Sequence, residues 1–101
     1  MTAADQPATR RVTVFVRGRV QGVGFRWWTR ARALELGLVG HARNMDDGRV
    51  EVLAQGAPDA CDELVTLLRE EPSTRRRPGR VDAVVVQSGT LRPGLTGFVE
   101  R

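Results

Sequence analysis

The feature that most constrains this chain is a change of hydrophobic period across one glycine-rich turn. Residues 10 to 20, RRVTVFVRGRV, alternate, with Val12, Val14 and Val16 on one side and Thr13, Phe15 and Arg17 on the other. A period of two is the mark of a strand. The turn follows within GRVQGVGFRWWT, residues 18 to 29, which holds three glycines in seven positions. The next stretch, FRWWTRARALEL, is rich in helix formers and ends at Gly37, a suitable C-terminal cap. Two stripes compete for the inward face of this helix. One is Phe25, Trp28 or Thr29, Ala33 and Leu36; the other is Trp27, Ala31, Leu34 and Leu38.

The rest of the chain continues the alternation of periods. GLVGHARN and GRVEVLAQ flank MDDG, and Asp47-Gly48 is a strong hairpin signal, so residues 38 to 55 read as two antiparallel strands. GAPDACDELVTLLREEP is the clearest helix. Pro58 suits its first position, and Asp59, Asp62 and Glu63 sit near its positive end. Ala57, Cys61, Leu64 and Leu68 form the expected buried stripe, joined by Ala60 and Leu67, and Pro72 stops the helix. STRRRPG reads as a solvated basic loop, RVDAVVVQS as a strand, GTLRPGLTG as a loop and FVER as a short last strand. The order strand, helix, strand, strand, helix, strand with a tail strand predicts an α+β sandwich of ferredoxin-like topology: an antiparallel sheet with two helices on one face. One domain is expected over residues 11–101, after a disordered leader over 1–10.

Composition excludes several functions. There is one cysteine, Cys61, and one histidine, His41. A disulfide within the chain and a cysteine-based zinc site are therefore not expected. Cys61 reads as a small buried hydrophobe. No apolar run approaches the ~20 residues that span a bilayer, and no secretory signal or lipidation motif is recognisable. A reducing cytoplasm fits this pattern. All 16 basic residues are arginine and the net charge is +4, so the field favours anionic ligands.

The glycine turn carries the chemistry. It joins a strand to a helix, whose start has unsatisfied N–H groups and partial positive charge. Glycines allow φ > 0 and close approach of the backbone, and successive amides curled this way form a nest for anions. Arg26 stands at the start of the helix, where its guanidinium can reach the same cradle. GVGFRW is not a dinucleotide fingerprint, because Trp27 holds the third glycine position, and it lacks the Gly-Lys-Ser/Thr of a nucleotide loop. A turn serving backbone geometry alone is the competing reading. Asn44 is a second candidate: its amide both donates and accepts, and could hold a water against a ligand, although asparagine is also an ordinary turn residue.

These residues together resemble the acylphosphatase family. The resemblance runs from about Arg11 to Arg101. It rests on the motif G-x-V-Q-G-V-G-F-R, on an Asn ahead of D-G-x-V-x-V, and on a closing GFVER. It implies hydrolysis of the carboxyl–phosphate bond of acyl phosphates to a carboxylate and inorganic phosphate, with no metal and no cofactor. By the same resemblance the loop amides of Gln21, Gly22, Val23, Gly24, Phe25 and Arg26, with the Arg26 guanidinium, bind the substrate phosphate, and Asn44 orients the attacking water. The implied partner is a small acyl phosphate, with phosphate or sulfate as a bound anion. A monomer is expected, with no nucleic acid and no membrane. Thr29 matches F-R-x-x-T and is expected to support the first helical turn or Asn44. His41 stands where the family usually has an aromatic and is expected to pack; Met45 could shape acyl preference, and Trp27 and Trp28 are expected to pack. Two other functions remain open. A non-catalytic anion- or RNA-binding module could share this element order, although GRVEVLAQ carries no aromatic for stacking bases. A domain for maturation or carbamoyl transfer is the other, ranked lower because such domains usually sit in longer chains.

Overall fold

The computed structural model describes residues 9–101, so the first eight residues of the expected leader lie outside the described residues. Seven elements follow: β1 Arg10–Arg19, α1 Phe25–Glu35, β2 Val39–Asn44, β3 Val50–Gly56, α2 Pro58–Arg69, β4 Arg80–Gly89 and β5 Phe98–Glu100. They form one five-stranded sheet in the order β4-β1-β3-β2-β5. The expected ferredoxin-like architecture is observed. β1 lies between β3 and β4, antiparallel to both, and β2 is antiparallel to β3. β5 pairs parallel to β2, so the sheet is mixed at that edge.

The register explains the core. Val12, Val14 and Val16 oppose Ala54, Val52 and Val50 across β1 and β3. All six are fully buried, as is Ala42 on β2. This face receives both helices. The first of the two competing stripes faces inward on α1: Phe25, Trp28, Thr29 and Ala33 are buried, whereas Trp27 is 63% exposed. Trp27 is therefore not a packing residue. On α2 the buried residues are Cys61, Leu64, Leu67 and Leu68. Ala57, expected in that stripe, precedes the helix and is exposed. Burial raises the Cys61 thiol above its usual pKa.

Local chemistry sets the ends of α1. Gly37 adopts φ 73°, its N–H donates to Leu34 O, and the Leu38 N–H donates to Ala33 O. That pair of bonds is a Schellman cap, which places Leu38 in the core. Gly40 is a second required glycine. Its φ is 145°, and a Cβ there would collide with the Leu53 carbonyl on β3.

The opposite face of the sheet is partly covered. β4 and β5 lie at opposite edges, so the segment between them has to cross the molecule. Gln55 fastens it, donating to Arg92 O at 3.0 Å and accepting from Arg92 N at 2.8 Å. Leu53 and His41, which face away from the helices, are buried as well. His41 does more than pack: its Nε2 lies 2.9 Å from Glu51 Oε1, while Arg43 Nη2 donates to Glu51 Oε2 at 2.9 Å. Burial alone would raise the Glu51 carboxyl, but its hydrogen bonds with Arg43 and His41 hold it below the usual carboxylate range. Among the described residues no helix is long and apolar enough to cross a membrane.

Candidate active site

The turn between β1 and α1 owes its shape to glycine. Gly22 has φ 72° and Gly24 has φ 87°, both left-handed, and neither would meet a close neighbour on gaining a Cβ beyond Pro78 at 4.0 Å from Gly24. Conformation, not crowding, demands glycine at these two positions. Gly24 is the N-cap of α1 and carries no side chain to satisfy the first amides. The first turn contains no acidic residue. The first helical hydrogen bond runs from Trp28 N to Gly24 O, leaving the amides of residues 25–27 without a helical acceptor. Gly22 and Gly24 are solvent-exposed. The result is a solvent-exposed turn that leads into the positive end of α1, where main-chain donors lack a helical acceptor.

Two tethers hold this turn to the end of β2. Gln21 Nε2 donates to Met45 O at 2.8 Å and to Arg49 O at 2.9 Å, across to the β2–β3 hairpin. Its side chain is thus committed to the scaffold. The hairpin itself closes through Met45 N–H to Arg49 O and Gly48 N–H to Met45 O, with Asp47 braced by Arg49. The second tether runs through Arg26. Its Nη1 donates to the Arg101 main-chain oxygen at 2.7 Å, and the Arg101 N–H donates to Ala42 O at 2.8 Å. Arg30, one helical turn on, donates to Phe98 O at 3.0 Å. The β5 segment therefore bridges Arg26 on α1 to β2 two residues before Asn44.

Asn44 is the last residue of β2 and pairs with Val50. It shares the helix-facing side with Ala42, and His41 takes the other side. Its Oδ1 is buried and has no hydrogen-bond partner. Thr29 Oγ1, on the inner face of α1, is fully buried and likewise unpaired. Unmet buried polar atoms of this kind are uncommon and cost about 1–3 kcal/mol each unless a water or ligand completes them. The region thus contains a turn with unmet main-chain donors, a guanidinium fixed by one bond with other donors left over, and an amide with an acceptor to spare. Among the described residues no group of three or more His, Cys, Asp or Glu is arranged to hold a metal ion.

The loop STRRRPG departs from the solvated reading. Arg77 is buried: its Nη1 donates to Leu67 O at 3.0 Å and Leu68 O at 3.2 Å, its Nη2 to Glu71 at 2.8 Å. It caps the end of α2, where the carbonyls lack helical partners. Trp28 Nε1 donates to Arg75 O at 2.9 Å, fastening the same loop to α1. The bond from Arg26 to Arg101 joins residues 75 apart in sequence and left no signal in it.

Comparison with known proteins gives a consistent result. The family model described as Acylphosphatase matches residues 12–100. An acylphosphatase of Thermobifida fusca is 60% identical over 91 residues, covering 90% of this chain and 96% of the relative. One of Corynebacterium efficiens is 59% identical over 91 residues, covering 90% and 91%. The solved structure of an acylphosphatase from Coxiella burnetii superposes with a TM-score of 0.81 at 31% identity, covering all of both chains.

Proposed function

The chain belongs to the acylphosphatase family and hydrolyses acyl phosphates, and on that premise we propose that the turn of residues 21–26 is the phosphate cradle and Asn44 the water-orienting group. The observation that carries this reading is the uncompensated start of α1: left-handed Gly22 and Gly24, no capping side chain, no acidic residue, and Arg26 in its first turn.

The chemistry asks little more of the protein. A water attacks phosphorus, the bond from phosphorus to the acyl oxygen breaks, and a carboxylate departs with that electron pair. The leaving group is a weak base, so no strong acid has to protonate it. Phosphoryl transfer then depends on positioning and on stabilising the equatorial oxygens. The cradle amides and Arg26 supply fixed donors aimed at those oxygens. Asn44 accepts from the water through Oδ1 and holds it in line, and a phosphoryl oxygen of the substrate takes the proton. The bond from Arg26 to Arg101 limits the rotamers of the guanidinium before substrate arrives.

The protein works as a monomer on a small acyl phosphate, with phosphate or sulfate competing for the cradle. On the helix-free sheet face the Arg49 guanidinium lies 5.0 Å from the centroid of Phe15, and the His41 ring is buried. That leaves no stacking platform of the kind single-stranded RNA requires, which favours the hydrolase over the binding module. The test is hydrolysis of benzoyl phosphate in excess chelator. Chelator-resistant turnover is expected; a folded protein that leaves benzoyl phosphate intact contradicts the reading.

A further inference from the structure

The arginine-rich loop between α2 and β4 is not absorbed by the site described above, yet it lies against it. Pro78 Cγ is 4.0 Å from where a Cβ of Gly24 would stand. Gly79 passes so close to the Arg19 carbonyl and to Val23 that a Cβ would collide with the former and lie 3.1 Å from the latter. The loop is also held firmly. The Ser73 hydroxyl accepts from Arg75 N and Arg77 N, both at 3.1 Å, Trp28 holds Arg75 O, and the Arg77 guanidinium is buried under α2. Arg76, between two anchored neighbours, takes a left-handed φ of 55° and is exposed.

Two of the three arginines of this loop make no ion pair, although Arg75 lies within the electrostatic reach of Glu70. Among the described residues, Arg19, Arg75 and Arg76 have no carboxylate within ion-pair distance, whereas Arg10, Arg32, Arg43, Arg49, Arg77 and Arg80 each have one. The nearby acids are already engaged. Glu70 accepts from Thr74 N and Oγ1, and Glu71 from Arg77 and Val81 N. Arg19, at the end of β1, and Arg75 and Arg76, on the loop whose Pro78 and Gly79 approach the turn, are thus exposed cations without an ion-pair partner.

In-line displacement says what would meet them. Asn44 lies on β2, and the sheet order β4-β1-β3-β2 puts the turn that follows β1 between Asn44 and the loop leading into β4. A water held by Asn44 attacks from the β2 side, so the leaving acyl group points to the opposite side. We infer that Arg75 and Arg76, with Arg19, form a specificity rim for the acyl group, and that the preferred substrates are acyl phosphates carrying a second anionic group, a carboxylate or phosphate, remote from the reacting bond. This rests on the cradle assignment made above, and it extends that assignment to the leaving group.

Two paired measurements test it. The first is binding, by titration with benzylphosphonate and with 4-carboxybenzylphosphonate at low salt. The second is kcat/KM for benzoyl phosphate and for 4-carboxybenzoyl phosphate. The expected preference for the carboxylated member is about fivefold in each pair, the order of one exposed ion pair. It should fall to about one in Arg75→Ala/Arg76→Ala and persist in Arg92→Ala, which removes a charge at the far end of the sheet. No preference in the wild type, a preference that survives the double variant, or one lost equally in Arg92→Ala overturns the rim. A binding preference without hydrolysis of either acyl phosphate supports the rim and counts against the hydrolase assignment. Hydrolysis of both acyl phosphates without preference does the reverse.

Discussion

Two helices lie on one face of the same sheet, each entered from a strand through glycine, and their first turns are built in opposite ways. At α2, Pro58 has no N–H to leave unmet, Asp59 sits in the first turn, and Asp62 and Glu63 follow. The positive end of that helix is neutralised from within. At α1, the N-cap is a left-handed glycine, no acid is present in the first turn, and the charge added there is that of Arg26. Both helices have the same dipole per turn. What differs is compensation: an anion site arises where a helix start is denied the residues that would satisfy it.

That contrast can be broken at its strongest point first. Arg26→Ala should lower kcat/KM for benzoyl phosphate by about 10³–10⁵, the range for a stabilising arginine in phosphoryl transfer, with a normal circular dichroism spectrum. Asn44→Ala should cost about 10², the order expected when a reacting group loses its positioning. Near-normal turnover in either variant removes that residue from the mechanism. The contrast can also be exchanged. Trp27→Asp gives α1 the first-turn carboxylate that α2 has, at an exposed position. It should raise KM by about tenfold through repulsion of the substrate while leaving the melting temperature equal or higher. Asp59→Asn, the matching change at α2, should leave both kinetic constants alone and cost about 0.3–1 kcal/mol of stability.

How much of this was readable beforehand differs between the two regions as well. The first turn of α1 was legible because its signals are local: left-handed glycines, a missing cap and an adjacent arginine sit within seven residues of one another. The layout of strands and helices was legible for the same reason, since periodicity and turn residues act over short spans. Contacts that depend on register were not. The sequence points to Gln21 only through its main-chain amide, and nothing local to it signals that its side chain ties the turn to Met45 and Arg49. His41 was read as a packing residue, and only the β2–β3 alignment, Arg43 opposite Glu51, brings His41 and Arg43 to the same carboxylate. In STRRRPG nothing local separates Arg77, buried as a helix cap, from Arg75 and Arg76, which stay exposed. Trp27 and Trp28 are likewise neighbours of one type, and the helix phase alone decides which is buried.

A further effect is expected on the sheet face that turns away from the helices. The Glu51 carboxyl is held below its usual range, so its contribution to stability is present above the unfolded value near 4.3 and is lost as pH falls through the folded value. Urea unfolding of the wild type and Glu51→Gln should differ by about 1 kcal/mol near pH 7, in favour of the wild type, and converge below about pH 4. A difference that does not change with pH would mean that packing, and not the ion pair with Arg43 and the hydrogen bond with His41, accounts for the effect of the residue.

The central claim is that one helix start of two is the anion site, and it is tested most directly by titrating inorganic phosphate into the ¹⁵N-labelled protein and following every main-chain amide. The account predicts saturable shifts for the amides of residues 21–27, none for those of residues 59–61 at the start of α2, and loss of the saturable shifts in Arg26→Ala. Shifts at α2 of equal size, or amides of 21–27 that stay unmoved while phosphate binds elsewhere, would contradict it.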